Sequence, residues 1–252
     1  MAIARVQGAG NHTTGVTTPA TVSATLGAAV TSGNTVVGMV SFDVSTSTTL
    51  TSVTDDKGNT YSLETAITDA GVQRVVAFSR SNITNGPTVV TANFGAPNGG
   101  VAIIVDEFSG CSTAGTDQRD GTAHGGQIQA APGTGANAVS SGSFTTATGG
   151  DLVWSGTGST DTADQAMGSV GTGFTTTGTS SGGSGGFDPQ IFSEWLVQSS
   201  AGSIVGTWTA SAGSAHYGTF MIAIKAAGGG GPAAPIGKVT RVQQTIKRAS
   251  YW

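Results

Sequence analysis

The sequence predicts an all-β chain, a sandwich or barrel carrying long polar loops. Helix formers are scarce while glycine supplies 41 of 252 residues, and glycine, serine and threonine favour turns and strands. Runs such as "NTVVGMVSF", "QRVVAFS", "VAIIVDEF" and "FMIAIK" nevertheless offer enough β-branched and aromatic surface for a core. These runs recur at short spacing, with Gly, Asn, Asp and Ser between them.

Taken in order, the expected strands are Ile3–Val6, Thr21–Leu26, Thr35–Phe42, Thr49–Val53, Thr60–Ala66, Gln73–Phe78, Thr88–Phe94 and Gly100–Phe108. A turn-rich stretch of little periodicity follows, from Gly110 to about Asn137. Strands resume at Ala138–Thr146, Leu152–Ser155, Phe174–Thr177, Ile191–Gln198, Ile204–Thr209 and Tyr217–Ile224. The two halves look alike. Gly33 matches Gly150, Phe78 matches Phe192, Phe94 matches Trp208, and "VAIIVDEF" matches "FMIAIK", with offsets between 114 and 119. Each half is expected to supply equivalent strands to the two facing sheets of one sandwich spanning residues 1–227.

Residues 228–235, "GGGGPAAP", read as a linker, flexible through glycine and stiffened by Pro232 and Pro235. Residues 236–252 read as a basic docking arm. Four of the ten basic residues lie there (Lys238, Arg241, Lys247, Arg248) with no acid beside them, so the arm carries +4 and the rest of the chain −8, for a net −4. Ile236, Val239, Val242 and Ile246 would share one face of a helix. An extended arm would instead augment a sheet edge. With Arg241, Lys247, Arg248 and the aromatic anchors Tyr251 and Trp252, they form the expected partner-docking set.

Charged residues make up 10% of the chain, against roughly a quarter in ordinary globular proteins. The acidic body is no nucleic-acid binder by its field, and no apolar run approaches membrane-spanning length. The single cysteine, Cys111, allows no disulfide within the chain. A composition of extracellular character without an apolar signal segment is expected of a virion protein, made in a host cytoplasm and used outside it, and equally of a chain secreted by a non-classical route or trimmed of its leader.

Few motifs point to chemistry. "DDKGN" (55–59) reads as an exposed hairpin tip in which Gly58 supplies positive φ and Asp55→Ala is nearly neutral. The competing reading is a calcium site built on Asp55, Asp56 and Asn59. G-x-S-x-G occurs at Gly178–Gly182 and Gly182–Gly186, inside a low-complexity loop without the strand–turn–helix of a nucleophile elbow. His12, His124 and His216 lie far apart in sequence. Asp106 and Glu107 are adjacent on one strand, so they point to opposite faces and share no substrate. Asp117 and Asp120 flank Arg119 as a loop-local ion pair. Trp154, Trp195, Trp208 and Tyr217 serve the core, with Trp154 and Tyr217 kept as candidate glycan contacts. No cofactor, metal or catalytic residue is expected.

The order of "VTDDKGNTY", "VVAFSRSNITNGPTVVTANF", "DEFSG", "DQRDGTA", "GGDLVWSG" and "GTWTASAGSAHYGTFMIAIKAA" resembles a family of jelly-roll-like β-sandwich modules. Such modules occur in tailed-phage structural proteins and secreted bacterial proteins. The resemblance covers residues 1 to about 227. It implies a jelly-roll-like antiparallel sandwich of two sheets with a non-enzymatic structural or adhesive role, and no catalytic residues carry over. The expectation is a tailed-phage virion structural protein: a capsid decoration, fibre or tail-associated module. Its partners would be other capsid or tail proteins and further copies of itself around a threefold axis. The alternative is a carbohydrate-binding cell-surface adhesion module, with a host-surface glycan as partner.

Overall fold

The computed structural model describes residues 1–13, 20–43, 49–69, 72–96, 99–129, 137–161, 167–180, 188–210 and 216–228. Every regular element among them is a strand, and all pairings are antiparallel. The first half contains β1 (Ala4–Thr13), β2 (Thr21–Thr25), β3 (Asn34–Asp43), β4 (Leu50–Asp55), β5 (Ser62–Leu63), β6 (Ile67–Asp69), β7 (Gln73–Ile83), β8 (Val89–Phe94) and β9 (Val101–Ser109). The second contains β10 (Arg119–Gln129), β11 (Asn137–Thr146), β12 (Asp151–Asp161), β13 (Met167–Val170), β14 (Thr175–Ser180), β15 (Asp188–Gln198), β16 (Gly202–Ala210) and β17 (His216–Ile224).

The large sheet of the first half runs β1-β9-β3-β7-β5, with β6 also on β7, and faces the three-stranded sheet β2-β8-β4. The second half repeats that order as β10-β17-β12-β15-β14 and β11-β16-β13. The expected antiparallel sandwich is therefore present, but the two-sheet unit occurs twice. Each half closes its own pair of sheets, and the two large sheets pack face to face.

Burial explains why the strands read as they do. All ten residues of β3 are buried, because it lies inside a large sheet covered on both faces. Val36, Val40 and Phe42 enter the first half's own core with Val53, Phe78, Val90 and Ile103. Val37 and Met39 turn the other way, into a central core shared with Leu152, Trp154, Ile191, Phe220 and Ile222 of the second half. A strand buried on both faces shows a continuous apolar run. In contrast β8, at the outside of the stack, alternates: Val90, Ala92 and Phe94 point inward and their neighbours are half-buried.

Hydrogen-bond register fixes the equivalence residue by residue. Gly33 and Gly150 each precede the central strand of a half, and both have φ of 88°. With these matched, Val36 corresponds to Val153. Val36 lies opposite Arg80 and Glu107, and Val153 opposite Leu196 and Ala223. Gly38 opposite Phe78 then corresponds to Ser155 opposite Glu194. The sequence match of Phe78 with Phe192 is thus two residues out of register, because likeness of side chains carries no information on backbone pairing.

Contacts between the halves are reciprocal. β9 packs on β15 while β7 packs on β17; β1 packs on β14 while β6 packs on β10; β3 meets its own counterpart β12. This is the pattern of an isologous interface, so the two halves are related by a pseudo-two-fold axis near β3 and β12.

Three strands depart from the sequence expectation: β10 occupies the stretch expected to be turn-rich, β13 lies in none of the expected strands, and β6 lies beyond the expected Thr60–Ala66 strand. β10 contains Gly121, Gly125 and Gly126, which oppose a strand by propensity. It forms because pairing with β17 demands small residues: a Cβ on Gly126 would sit 1.9 Å from Thr219 O and 2.4 Å from Ile67 Cδ1.

Candidate functional site: paired grooves between the repeats

The pseudo-two-fold axis generates two equivalent grooves where the first strand of one half meets the short edge strands of the other. Following the register, Gly8, Gly10, Ile104 and Asp106 correspond to His124, Gly126, Phe220 and Ile222. Arg5 opposite Phe108 corresponds to Arg119 opposite Ile224. Leu63 opposite Phe78 corresponds to Thr176 opposite Glu194, and Glu64, whose amide bonds Ala77 O, corresponds to Gly178 opposite Ser193, with Thr177 the extra residue of a bulge. One arginine heads each groove, but the carboxylate it holds has changed strands.

In the first groove the carboxylate is Asp106 on β9, fully buried. Arg5 Nε donates to its Oδ1 at 2.8 Å. Trp154 Nε1 (2.8 Å), Thr177 Oγ1 (2.9 Å) and Ser193 Oγ (3.3 Å) donate to its Oδ2. Four donors from both halves converge on one charge, as a buried carboxylate requires. Only about 110 Å³ of space is left beside them.

The second groove is open, with a cavity of about 490 Å³ lined by residues 64–68, His124–Gly126 and Phe220. Here the carboxylate is Glu64, placed after β5 and mostly buried. Arg119 Nη1 bonds its Oε1, and His124 Nδ1 lies 2.8 Å from its Oε2. His124 Nε2 lies 2.9 Å from Gly121 O, so both ring nitrogens face acceptors. Arg119 also binds Asp117 (2.8 Å to Oδ1, 2.6 Å to Oδ2) and thereby holds the Asp117 carboxyl below its usual range. A second histidine ties the same segment down: His216 Nδ1 bonds Asp69, and Gln73 Nε2 donates to His216 O at 2.9 Å.

Several sequence-level readings change here. Trp154 and Tyr217, the candidate glycan contacts, are both fully buried, so neither ring offers a face to a sugar. The core reading is the one the structure carries. The docking set Ile236, Val239, Arg241, Val242, Ile246, Lys247, Arg248, Tyr251 and Trp252 lies outside the described residues, as does the linker beyond Gly228. Asp106 and Glu107 do face apart: Glu107 accepts from Gln7 Nε2 (2.6 Å) and Thr31 N (2.9 Å) on the side away from Trp154. The Asp117–Arg119 pair forms, but Asp120 leaves it. Asp120 is buried beside Asp151, accepting from the Ala147 amide. Burial raises the Asp151 carboxyl above its usual range, and the adjacent Asp120 adds to the effect.

The hairpin tip stands at residues 55–59, with Gly58 at φ 81°. Asp55, however, is no free surface acid. It accepts from Lys57 N (3.0 Å), Asn59 N (2.9 Å), Asn59 Nδ2 (2.7 Å) and Tyr61 OH (3.2 Å). Asp56 accepts from Thr88 N (2.9 Å) and Val89 N (3.2 Å). Against a desolvation penalty, these bonds hold its carboxyl below the usual range. Burial pushes the Cys111 thiol up to about 12, which leaves it without thiolate character near neutral pH.

Sequence reasoning missed Glu64, Arg119 and His124 as a group. One signal for it existed: Arg5 and Arg119 hold corresponding places in the two halves. No family model, curated protein or solved structure matches the chain, so the reading of its function rests on fold and site geometry together with the order of its motifs.

Proposed function

We propose that the protein is a non-enzymatic structural protein of a tailed-phage particle, a capsid decoration, fibre or tail-associated module anchored through residues 236–252. The observation that supports this most is how the chain leaves the stack. Ala226 bridges Cys111, Ala227 N donates to Gly110 O at 2.8 Å, and Ala226 N donates to Asp151 Oδ1 at 3.3 Å. The chain at Ala226–Ala227 is therefore pinned to both repeats ahead of the basic segment. It lies beside a cleft of about 420 Å³ whose lining includes Met1, Val6, Gly33 and Ala227. A four-layer body whose chain is pinned at Ala226–Ala227 and continues into a basic sequence suits a displayed module held on an acidic partner surface, either capsid or tail proteins or neighbouring copies around a threefold axis.

The test is incorporation. Deleting residues 237–252 should leave the melting temperature of the body unchanged and remove the protein from purified particles. Normal occupancy of the truncated chain would overturn the anchoring role. The second reading, a carbohydrate-binding adhesion module, is favoured by one observation, the open groove at Glu64.

A further inference from the structure

We infer that the groove between residues 64–68 and His124–Gly126 binds a neutral saccharide. The inference does not rest on the virion assignment; it gives the adhesion reading a location other than the buried Trp154 and Tyr217.

The internal repeat supplies the first argument. The same backbone niche occurs twice, and in one copy Arg5, Thr177, Ser193 and Trp154 close around Asp106 until about 110 Å³ remains. In the other copy about 490 Å³ stays open. Leaving a niche unfilled forgoes packing contacts, and the sister groove demonstrates that this fold can close it. The open volume lies within the range of small-ligand pockets.

Charge supplies the second. An anion entering the groove would find the Arg119 guanidinium already held by Glu64 and Asp117. A cation would find the Glu64 carboxylate already paired with Arg119. A neutral ligand avoids both conflicts. The third argument is hydrogen-bonding chemistry. Each Glu64 oxygen takes one protein contact, from Arg119 or from His124, and keeps acceptor capacity for a hydroxyl. Thr65 and Thr68, both exposed, add hydroxyls that donate and accept. Ile67, Phe220 and the Cβ-free Gly125 and Gly126 supply apolar surface beside these groups. Vicinal hydroxyls on one face and C–H groups on the other are the ligand chemistry this lining matches.

The experiment titrates glucose, galactose and N-acetylglucosamine into the full-length isotope-labelled protein and follows backbone amide resonances. At least one sugar should give saturable shifts at Thr65–Thr68 and Gly125–Gly126 in the millimolar range. Ala66 is exposed, so Ala66→Trp occupies the groove without touching the core and should weaken binding about tenfold or more. Glu64→Gln keeps the shape and should weaken it as well. Absence of saturable shifts with all three sugars overturns the inference, as does binding that persists in Ala66→Trp at an unchanged melting temperature. Saturation of the same amides by inorganic phosphate or by putrescine overturns the assignment of a neutral ligand. Particle incorporation through the arm is read separately, so failure of one reading is distinguishable from failure of the other.

Discussion

Glu194 stands in the second repeat where Phe78 stands in the first. Phe78 fills its core and packs edge-on against Tyr61, with ring centroids 5.6 Å apart. Glu194 is equally buried. Gly171 N donates to its Oε2 at 3.2 Å, while Oε1 has no hydrogen-bond partner among the described residues. Around it the second core is more polar: Ser155 Oγ donates to Phe220 O, and Thr157 and Thr219 share a bond.

This substitution makes stability depend on pH. Burial pushes the Glu194 carboxyl up to about 8, against the lowering effect of the Gly171 and Thr207 amides. A raised folded-state pKa means the stabilisation is fully present below the unfolded value near 4.5 and is lost as pH rises through about 8. The melting temperature should therefore fall as pH rises from about 4.5 to about 8, the window set by those two values. Glu194→Gln should flatten that fall and be the more stable protein at the alkaline end. Thermal denaturation of both proteins across the range checks this; parallel curves would assign the fall elsewhere.

Arg5 and Asp106 form the second testable pair. Asp106 is fully buried, and Arg5 is its only basic partner among the described residues. Arg5→Met should cost about 3 kcal/mol, since removing one partner strands a buried charge. Adding Asp106→Leu should recover part of that loss. Urea unfolding of the two single variants and the double variant measures the coupling. Equal losses that simply add would show that the pair is not coupled.

Asp55 reverses an expectation drawn from sequence. Its carboxylate satisfies two backbone amides, the Asn59 amide group and the Tyr61 hydroxyl. Asp55→Ala should destabilise by about 1–3 kcal/mol, because it leaves the buried Tyr61 hydroxyl and the amides of the turn without their acceptor. A calorimetric change within experimental error of zero would restore the view of Asp55 as a solvated surface acid.

Local features were legible in the sequence because they depend on adjacent residues. Gly58 with its polar neighbours specified the turn, alternation specified the faces of β8, and adjacency on a strand sent Asp106 and Glu107 apart. The internal repeat was legible too, since equivalent strands keep equivalent runs of apolar residues. Which Phe or Glu corresponds to which was not, because register is set by pairing with strands more than twenty residues away. Phe78 and Phe192 look alike as letters, yet the ladder puts Phe78 opposite Gly38 and Glu194 opposite Ser155.

The sequence by itself determined an antiparallel all-β chain built on a repeated pattern. Only the tertiary structure decided that each repeat closes its own sandwich and that the two large sheets bury each other. It also made a strand of β10, whose glycines oppose one by propensity, because the approach of Thr219 O and Ile67 tolerates nothing larger. Glu64, Arg119 and His124 became a site for the same reason. They come together only when apolar faces of two distant segments leave water against each other, and no local pattern of residues encodes that encounter.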